Sequence, residues 1–451
     1  MTTLGPSPFV WLQFDEQGKL KDNDGTDARA DLAAALATPG VTDLVVLSHG
    51  WQNDLPDALK LYTTLWGNSC AALAGRGRDP AKIVVAGVLW PSKIFDADYD
   101  GAQAMVAQQD AAGALAVRDV DALPGDVGDA AFAAGLDIFA DFVGGPEAAT
   151  AIAAAKAASG SYQEGAAYDF FQKAKTALGF DSPTGHADSE LSQDAALFAK
   201  ADTSAGADDL LTQFSVPFTL DVEPGTGAAQ GLGTAVSSVF QGARSAVLWA
   251  LNKLTYYTMK NRAGVVGVAL ADTVLSTLAP ATDLRLHLIG HSFGGRLVTA
   301  AVSRLVVPGK VTLASVTLLE AAYSHNGLTA GKGPFAAVVG KPKGPLSITH
   351  THNDLACTVA YPLASRVSGD VAQALGDASD PYGAMGANGP QGLAAGTVVI
   401  CDSQTFALQS GVINTILADG FIVKTATSDA HNNVTNPTCG KLVAAAISAL
   451  L

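Results

Sequence analysis

The residues that could most readily carry out chemistry stand in a row, Gly290-His291-Ser292-Phe293-Gly294. An apolar run typical of a buried strand, "LRLHLIG", leads into them, and a run with helical spacing, "GRLVTAAVSRL", follows. A serine on such a strand-to-helix turn can hold its hydroxyl clear of the sheet, and glycines are needed two residues to either side because larger residues would clash. The pattern predicts that Ser292 is a nucleophile. In a chain with 47 glycines, an ordinary turn is the alternative.

A nucleophile of this kind needs hydrogen-bond donors for the negative charge that develops on the attacked carbonyl oxygen. The turn points the Phe293 N–H toward that oxygen. A second donor must come from another loop, and the Trp51 N–H, directly after His49-Gly50, is the natural choice. We therefore expect Phe293 and Trp51 to form an oxyanion hole beside Ser292.

The elements that must position these residues alternate between strand and helix. Besides the strand before Ser292, buried strands are predicted within "VTDLVVLSHGWQND" (41–54), "KIVVAGVLWPS" (82–92), "VTLASVTLLEAAYS" (311–324), "GPLSITHTHND" (344–354) and "GFIVKTATSDAHNN" (420–433). Helices are predicted near 28–37, 54–74, 236–259 and 263–278. This alternation indicates an α/β fold with a mostly parallel sheet, whose ligands bind beyond the carboxyl ends of the strands. The polar residues that fall there are His49, Ser292, Asp354 and His431.

The net charge of −15 is confined to one part of the chain. Residues 93–235 carry 22 acidic and 6 basic side chains, whereas the remainder carries 20 and 21. This contrast predicts a discontinuous domain of 1–92 and 236–451 and an acidic insertion of 93–235 with helical patches. Nucleic acids and anionic membrane surfaces select basic patches, so neither is expected as the main partner.

Composition narrows the class of protein further. With 48% hydrophobic and 15% charged residues the chain can bury a large core, and no apolar run reaches the length of about 18 residues that a membrane span needs. The start, "MTTLGPSPFVWLQF", lacks the pattern of a signal peptide, so a cytoplasmic location is expected, with export left open. The four scattered cysteines favour free thiols over a zinc ribbon, and a single disulfide stays open.

Outside the acidic insertion, the chain resembles the α/β-hydrolase superfamily of serine hydrolases. The pentapeptide around Ser292 matches the nucleophile elbow of that family, and His49-Gly50-Trp51 matches its "HG" turn after the third strand. Asp354 and His431 follow later strands, which gives the family's order of serine, acid and histidine. Trp90-Pro91-Ser92 is also similar to a tripeptide from a poorly characterised branch of these hydrolases.

The resemblance implies a catalytic triad of Ser292, Asp354 and His431, in which Asp354 orients the His431 base. Glu320, at the end of "VTLLE", is the alternative acid, and a helix cap or surface carboxylate is the remaining interpretation of Asp354. Among the other histidines, His287 lies inside a predicted strand and is expected to be structural. His291 is expected to point away from the place where a base must stand.

The stretch "HTHND" offers a different chemistry. His350, His352 and Asp354 alternate along the chain, so on a strand they share one face, as metal ligands do. Part of a metallohydrolase H-x-H-x-D-H motif has this form, but position 355 is leucine. The same residues suit a polar strand end beside a serine triad. A metal site is therefore the alternative, and no metal or organic cofactor is expected.

The resemblance implies an esterase or lipase that cleaves a small-molecule or lipid-like ester, polyesters included, through an acyl-enzyme. An amidase or peptidase with the same triad, and a non-catalytic binding protein on this scaffold, are the alternatives. In most members of the family the lid follows the sixth strand, but here 202 residues separate Trp90 from Ser292, which puts the insertion after the fourth. We expect 93–235 to form a mainly helical cap over the active site. An exposed appendage or an oligomerisation arm is the alternative.

Overall fold

The computed structural model divides the chain into two units. The first contains Met1–Ser92, Asn261–Cys357 and Ala384–Leu451, and the second contains Lys93–Lys260 and Thr358–Gly383. The predicted insertion shares its first boundary with the second unit, which continues further along the chain and also takes in 358–383. The residues that the structure describes are 2–23, 25–51, 53–92, 128–160, 163–180, 196–215, 242–354, 356–360, 383–426 and 428–450.

A nine-stranded sheet organises the first unit within the described residues. Its strands are β1 (Thr2–Leu4), β2 (Ser7–Gln13), β3 (Asp43–Ser48), β4 (Ile83–Leu89), β5 (Leu284–His291), β6 (Val311–Leu319), β7 (Leu346–His350), β8 (Val398–Ile400) and β9 (Ile413–Leu417). They lie in the order β1-β2-β4-β3-β5-β6-β7-β9-β8. The β1–β2 pair is antiparallel and the other pairs of this sheet are parallel. The predicted α/β class with a mostly parallel sheet is confirmed.

Both units contain helices. They are α1 (Ala28–Leu36), α2 (Leu55–Ala74), α3 (Asp129–Val143), α4 (Gly145–Ala158), α5 (Ala166–Leu178), α6 (Ser204–Ser215), α7 (Ala243–Thr273), α8 (Phe293–Arg304), α9 (Met385–Asn388) and α10 (Pro437–Ser448). Among the helices that the structure describes, none combines the length and apolar character needed to cross a bilayer.

The crossovers of the central strands cover both faces of the sheet. The step from β2 through α1 to β3 runs in one direction across the sheet, and the step from β3 through α2 to β4 runs back. Right-handed crossovers in opposite directions put α1 and α2 on opposite faces, and α8, between β5 and β6, lies on the face of α1. All six residues of β3 are buried, as expected for a strand covered on both sides. Helix α10 packs against α2 in a cluster that also contains Val45, Leu47 and Ile289.

The register of the parallel strands aligns their carboxyl ends. Ser48 pairs with Gly290, and His291 pairs with Leu319. On the far side of β6, Leu318 pairs with Ile348, and His350 pairs with Leu417. The loops that follow β3, β5, β6 and β7 therefore all leave the sheet at the carboxyl end of its strands.

The described part of the second unit is mainly helical. Phe180 and Phe198 pack on Tyr257 of α7, with ring centroids 4.8 and 6.3 Å away. The Lys175 ammonium donates to Phe198 O (2.7 Å) and to Asp202 Oδ1 (2.8 Å). Within the predicted cap, 93–127, 161–162, 181–195 and 216–235 lie outside the described residues. The role of this unit as a cap stays a prediction.

Two expectations about elements were wrong. The 420–433 stretch contains no strand among its described residues, because the last parallel strand lies upstream at β9 and Ile422 enters the core from a turn. The helices expected near 236–259 and 263–278 are joined through the intervening residues into one helix, α7. Both edges of the sheet are three-residue strands, β1 and β8, which had not been predicted.

Candidate active site

Ser292 lies in the turn between β5 and α8, as the pentapeptide predicted. Its φ of 57° and ψ of −126° lie outside the regions that residues with side chains usually adopt. The Ser292 N–H donates to Leu319 O (3.1 Å), and Ser292 O accepts from the Ala322 N–H (3.1 Å). The end of β6 thus holds the strained residue in place, and strain of this kind concentrates at functional sites.

Three glycines are required by the close approach of backbone around Ser292. A Cβ atom on Gly290 would lie 2.2 Å from Gly294 O, and one on Gly294 would lie 2.4 Å from His49 O. A Cβ on Gly50 would lie 2.6 Å from Ser292 Cβ and 3.2 Å from Ser292 Oγ. The loop after β3 therefore passes directly over the serine side chain, and only glycine leaves room for it.

The predicted oxyanion-hole residues are neighbours. Trp51 follows Gly50 in a turn, and its ring centroid lies 6.1 Å from that of Phe293. Trp51 O accepts a hydrogen bond from the Asn53 side-chain amide (2.8 Å). Phe293 is the first residue of α8, so its N–H lies at the N-terminus of that helix.

His49 fixes the turn before Trp51 rather than acting as a base. Its ring is fully buried and stacks on Trp90, with centroids 5.6 Å apart and planes at 9°. Nε2 accepts from the Trp90 N–H (3.3 Å), so Nδ1 carries the proton and donates to Gly50 O (2.8 Å). Burial lowers the pKa of His49 to about 4, which keeps the ring neutral in this arrangement.

The Trp90-Pro91-Ser92 tripeptide clamps the same turn from β4. The Trp90 indole N–H donates to His49 O (3.0 Å). Ser92 Oγ accepts from the Asn53 N–H (3.1 Å) and donates to Asn53 O (2.9 Å). Pro91 O in turn accepts from the Arg262 guanidinium (2.7 Å). The tripeptide was known from the sequence only as a resemblance, and the structure shows the contacts that it makes.

Asp354 and His431 are 77 positions apart in the chain and directly bonded in the structure. His431 Nδ1 lies 2.6 Å from Asp354 Oδ2, and the Cys357 N–H donates to Asp354 Oδ1 (3.0 Å). Asp354 is fully buried, whereas the His431 side chain is 15% exposed. One ring nitrogen of His431 is thus committed to the carboxylate, which leaves Nε2 for another partner.

His291 ties His431 to the turn that contains Ser292. Its Nε2–H donates to the backbone carbonyl of His431 (2.9 Å), and the two ring centroids lie 4.8 Å apart. Burial, with the nearby His431, lowers the pKa of His291 to about 3, so His291 stays neutral. The expectation that His291 is not the base agrees with this contact, because its Nε2 is occupied by a carbonyl oxygen.

The pKa values of Asp354 and His431 both differ from their ordinary values. Burial lowers the pKa of His431, but the Asp354 carboxylate more than offsets this, so the pKa of His431 lies above its usual value. Burial raises the pKa of Asp354, but His431 and the hydrogen bonds to the carboxylate bring it below its usual value. A carboxylate beside a more basic imidazole is the arrangement that a general base requires.

The residues of the alternative metal motif bond to different partners in the structure. His352 Nδ1 bonds to Asp419 Oδ2 (2.9 Å), whereas Asp354 bonds to His431, and burial lowers the pKa of His350 to about 4. Within the described residues, the group whose ligand atoms converge, all within 4.8 Å, is Asp354, Cys357 and His431. A metal ion there would have to displace the Asp354–His431 hydrogen bond, so the donor set fits a serine triad better.

A second Ser–His–Asp chain lies inside the sheet. His287 Nε2 bonds to Asp43 Oδ1 (3.1 Å), and His287 Nδ1 lies 2.8 Å from Ser315 Oγ. Arg285 and Arg78 also bond to the Asp43 carboxylate. Asp43, His287 and Ser315 are buried, which leaves no room for a substrate, so His287 is structural, as expected from its place within a strand.

Glu320, expected only as a substitute for Asp354, lies buried at the end of the neighbouring strand β6, with a positive φ of 45°. The contacts of Cys357 and His291 with the Asp354–His431 pair were not expected, and only the positions of these two residues near predicted site residues gave a hint of them. Comparison of the chain with protein-family models, with curated proteins and with solved structures finds no match.

Proposed function

We propose that the chain is a serine hydrolase of the α/β-hydrolase type that cleaves carboxylic esters. The observation that carries the proposal is the 2.6 Å contact between His431 Nδ1 and Asp354 Oδ2, on loops at the same sheet edge as the strained Ser292. A serine hydroxyl is a poor nucleophile until a base takes its proton. His431, made more basic by Asp354, supplies that base.

In the first half of the reaction, Ser292 Oγ attacks the ester carbonyl carbon while its proton passes to His431 Nε2. The Asp354 carboxylate stabilises the imidazolium that forms. The carbonyl oxygen becomes an oxyanion, and the N–H groups of Phe293 and Trp51 are the proposed donors to it. Each such donor is commonly worth about 2.7–4 kcal/mol of transition-state stabilisation.

In the second half, the tetrahedral intermediate expels the alcohol, which takes the proton from His431 Nε2. This leaves the acyl group on Ser292. Water then attacks the acyl-enzyme while its proton passes to His431 Nε2. The bond to Ser292 Oγ breaks, Oγ regains that proton from His431, and the carboxylic acid departs. The sequence of steps balances with water alone, and every proton passes through the one imidazole.

The proposal is tested with p-nitrophenyl esters from acetate to palmitate. Wild type, Ser292→Ala, His431→Ala and the control Ser303→Ala, which changes a serine on α8 away from the turn, are compared, with folding checked by circular dichroism. We expect hydrolysis by wild type and the control, and a loss of at least about 10³-fold in kcat for the other two. A fluorophosphonate probe should label Ser292 in the wild-type protein.

The outcomes separate the alternatives. Hydrolysis that survives Ser292→Ala would overturn the assignment of the nucleophile. Fluorophosphonate labelling at Ser292 without turnover of any ester would overturn the ester substrate and leave acyl transfer to amides. Neither labelling nor turnover would overturn the enzymatic proposal and favour a binding protein on this scaffold.

A further inference from the structure

Glu320 is a buried carboxyl group at the end of β6, next to the candidate triad. Its φ of 45° makes it, with Ser292 and Phe406, one of the non-glycine residues with positive φ in the described part of the chain. Both Ser292 and Glu320 follow neighbouring strands, and the residues around Glu320 hold the Ser292 backbone: Leu319 O accepts from the Ser292 N–H, and the Ala322 N–H donates to Ser292 O. Glu320 is therefore built into the wall of the site.

Among the described residues, the Glu320 carboxyl group bonds to a neutral side chain. The Thr349 hydroxyl donates to Glu320 Oε1 (2.9 Å) and accepts from the Glu320 N–H (3.1 Å). Glu320 Oε2 has no hydrogen-bond partner of good geometry among the described residues. A Cβ on Gly386 would lie 2.8 Å from Glu320 Cα, so the chain closes over this residue and excludes water.

The charge that acts most strongly on Glu320 is that of Asp354. Burial and repulsion from this carboxylate raise the pKa of Glu320 well above its usual value. A protonated Glu320 can donate a hydrogen bond to Asp354, whereas an ionised one would put two negative charges in a fully buried site. Asp354 itself is held ionised by His431.

We propose that Glu320 is a positioning residue of the triad, which stays protonated and donates a hydrogen bond from Oε2 to the Asp354 carboxylate. The acid of the triad is then a pair of carboxyl groups that share one negative charge. Thr349 sets the direction of the Glu320 side chain by bonding to Oε1, and the pair balances the single positive charge that forms on His431. This inference rests on the proposed function for its kinetic consequence only.

The protonation state can be measured without any substrate. The chain has six glutamates, Glu16, Glu147, Glu164, Glu190, Glu223 and Glu320, so protein labelled with ¹³C at the glutamate side-chain carboxyl gives few NMR signals. We expect one signal to keep the shift of a protonated carboxyl above pH 7 and to vanish in Glu320→Gln. If no signal keeps the shift of a protonated carboxyl above pH 7 in wild type, the proposal fails.

The effect on the triad is read from the acid limb of the kcat pH profile. Glu320→Gln keeps a neutral hydrogen-bond donor, so the apparent pKa of the acid limb should change by less than about 0.3 pH unit. Glu320→Met removes the donor and leaves Asp354 more basic, so it should raise that apparent pKa by roughly one unit. Glu16→Gln, an exposed site, is the matched control and should not move it.

Two kinetic results would overturn the inference. A limb that shifts to lower pH in Glu320→Gln would mean that wild-type Glu320 is ionised, because the substitution would then remove a negative charge that raises the pKa of His431. An unshifted limb in a folded Glu320→Met would mean that Glu320 does not act on Asp354. A protein that shows the protonated NMR signal but cleaves no ester would keep the carboxyl pair and lose the proposed function instead.

Discussion

At the scale of single residues, the histidines of the site differ in pKa because their surroundings differ. His49 and His291 are buried beside backbone groups, and burial lowers the pKa of each, to about 4 and about 3. His431 is bonded to a carboxylate, and its pKa is raised. Two of these rings therefore stay neutral and hold the backbone, whereas the charged form of His431 is favoured by its carboxylate partner.

The first prediction concerns the pH dependence of hydrolysis. Since His431 must be neutral to take the Ser292 proton, activity should rise with pH through a pKa above the ordinary value of about 6.5. Asp354→Asn removes the charge that raises this pKa, so the acid limb should shift to lower pH. Because the orientation and tautomer of the imidazole are also lost, kcat should fall by about 10⁴-fold.

The measurement is a kcat profile between pH 5 and pH 9 for wild type and Asp354→Asn. Asp272→Asn, which changes a partly exposed aspartate paired with Arg304, is the control and should follow wild type. An acid limb that stays in place in Asp354→Asn would show that His431 is not the group being titrated.

At the scale of elements, strand ends are joined to one another by side chains. Tyr62 of α2 donates to Val88 O on β4 (2.6 Å) and accepts from the His49 N–H (2.8 Å). Trp90 and Ser92, just beyond β4, bond to both ends of the turn that contains Trp51. The loop that contains Trp51 is therefore positioned by β4 as much as by β3, to which it is covalently joined.

The second prediction follows from this clamp. Ser92→Ala removes both hydrogen bonds to Asn53 and should lower kcat by about 10- to 100-fold, because a donor displaced by about 1 Å loses much of its effect. Substrate binding should change less, since the oxyanion forms only in the transition state. Steady-state kinetics and a melting curve distinguish this from unfolding.

The matched control is Ser276→Ala. Its hydroxyl also accepts a backbone N–H, that of Val306, but in a loop after α8 rather than beside the site. It should leave kcat unchanged. Equal effects of the two substitutions on kcat would show that the hydrogen bonds of Ser92 to Asn53 do not position the loop that contains Trp51.

Local patterns were predictable from the sequence, and pairings across the sheet were not. The turn at Ser292 is specified within five residues, because a side chain at Gly290 or Gly294 would clash with the backbone around the serine. The Asp354–His431 contact depends on the register of β7 beside β9, which no spacing in the chain encodes. The β9 strand was missed because the polar Asn414 and Thr415 interrupt "INTIL", whereas the "FIV" that follows it is wholly apolar, and its Ile422 is buried from a turn.

At the scale of the whole molecule, the first unit is assembled from three stretches of chain. Its strands β3 and β5 are neighbours, and the Asp43 carboxylate at the start of β3 is fully buried between Arg285, Arg78 and His287. Burial raises the pKa of Asp43, but the hydrogen bonds from Arg285, His287 and Thr42 hold it far below its usual value. This network fastens two stretches of the unit to each other.

The third prediction is one of stability. Asp43→Asn leaves two arginines without their buried counter-charge and should lower the free energy of unfolding by about 3–5 kcal/mol. Because the pKa of Asp43 is lowered on folding, its contribution is present above the unfolded value of about 3.9 and is lost as the pH falls further. The difference in the free energy of unfolding between Asp43→Asn and wild type should therefore become smaller below about pH 4.

Urea unfolding followed by circular dichroism measures the effect at pH 7 and at pH 3.5. Asp272→Asn, in a partly exposed ion pair with Arg304, should cost only about 0–1 kcal/mol and serves as the comparison. A loss in Asp43→Asn no greater than in Asp272→Asn would contradict the stabilising role of the network.

The separation between Asp43 and Arg285, 242 positions along the chain, also bears on how the protein is made. When β3 leaves the ribosome its β4 edge is soon covered, but its other edge has no proper neighbour until β5 is synthesised. Contacts of such long range form slowly, and an apolar strand edge left open meanwhile invites mispairing. A charge on that strand is costly to bury against any surface that lacks the matching cations. Asp43 thus discourages wrong partners during the interval before the right one exists.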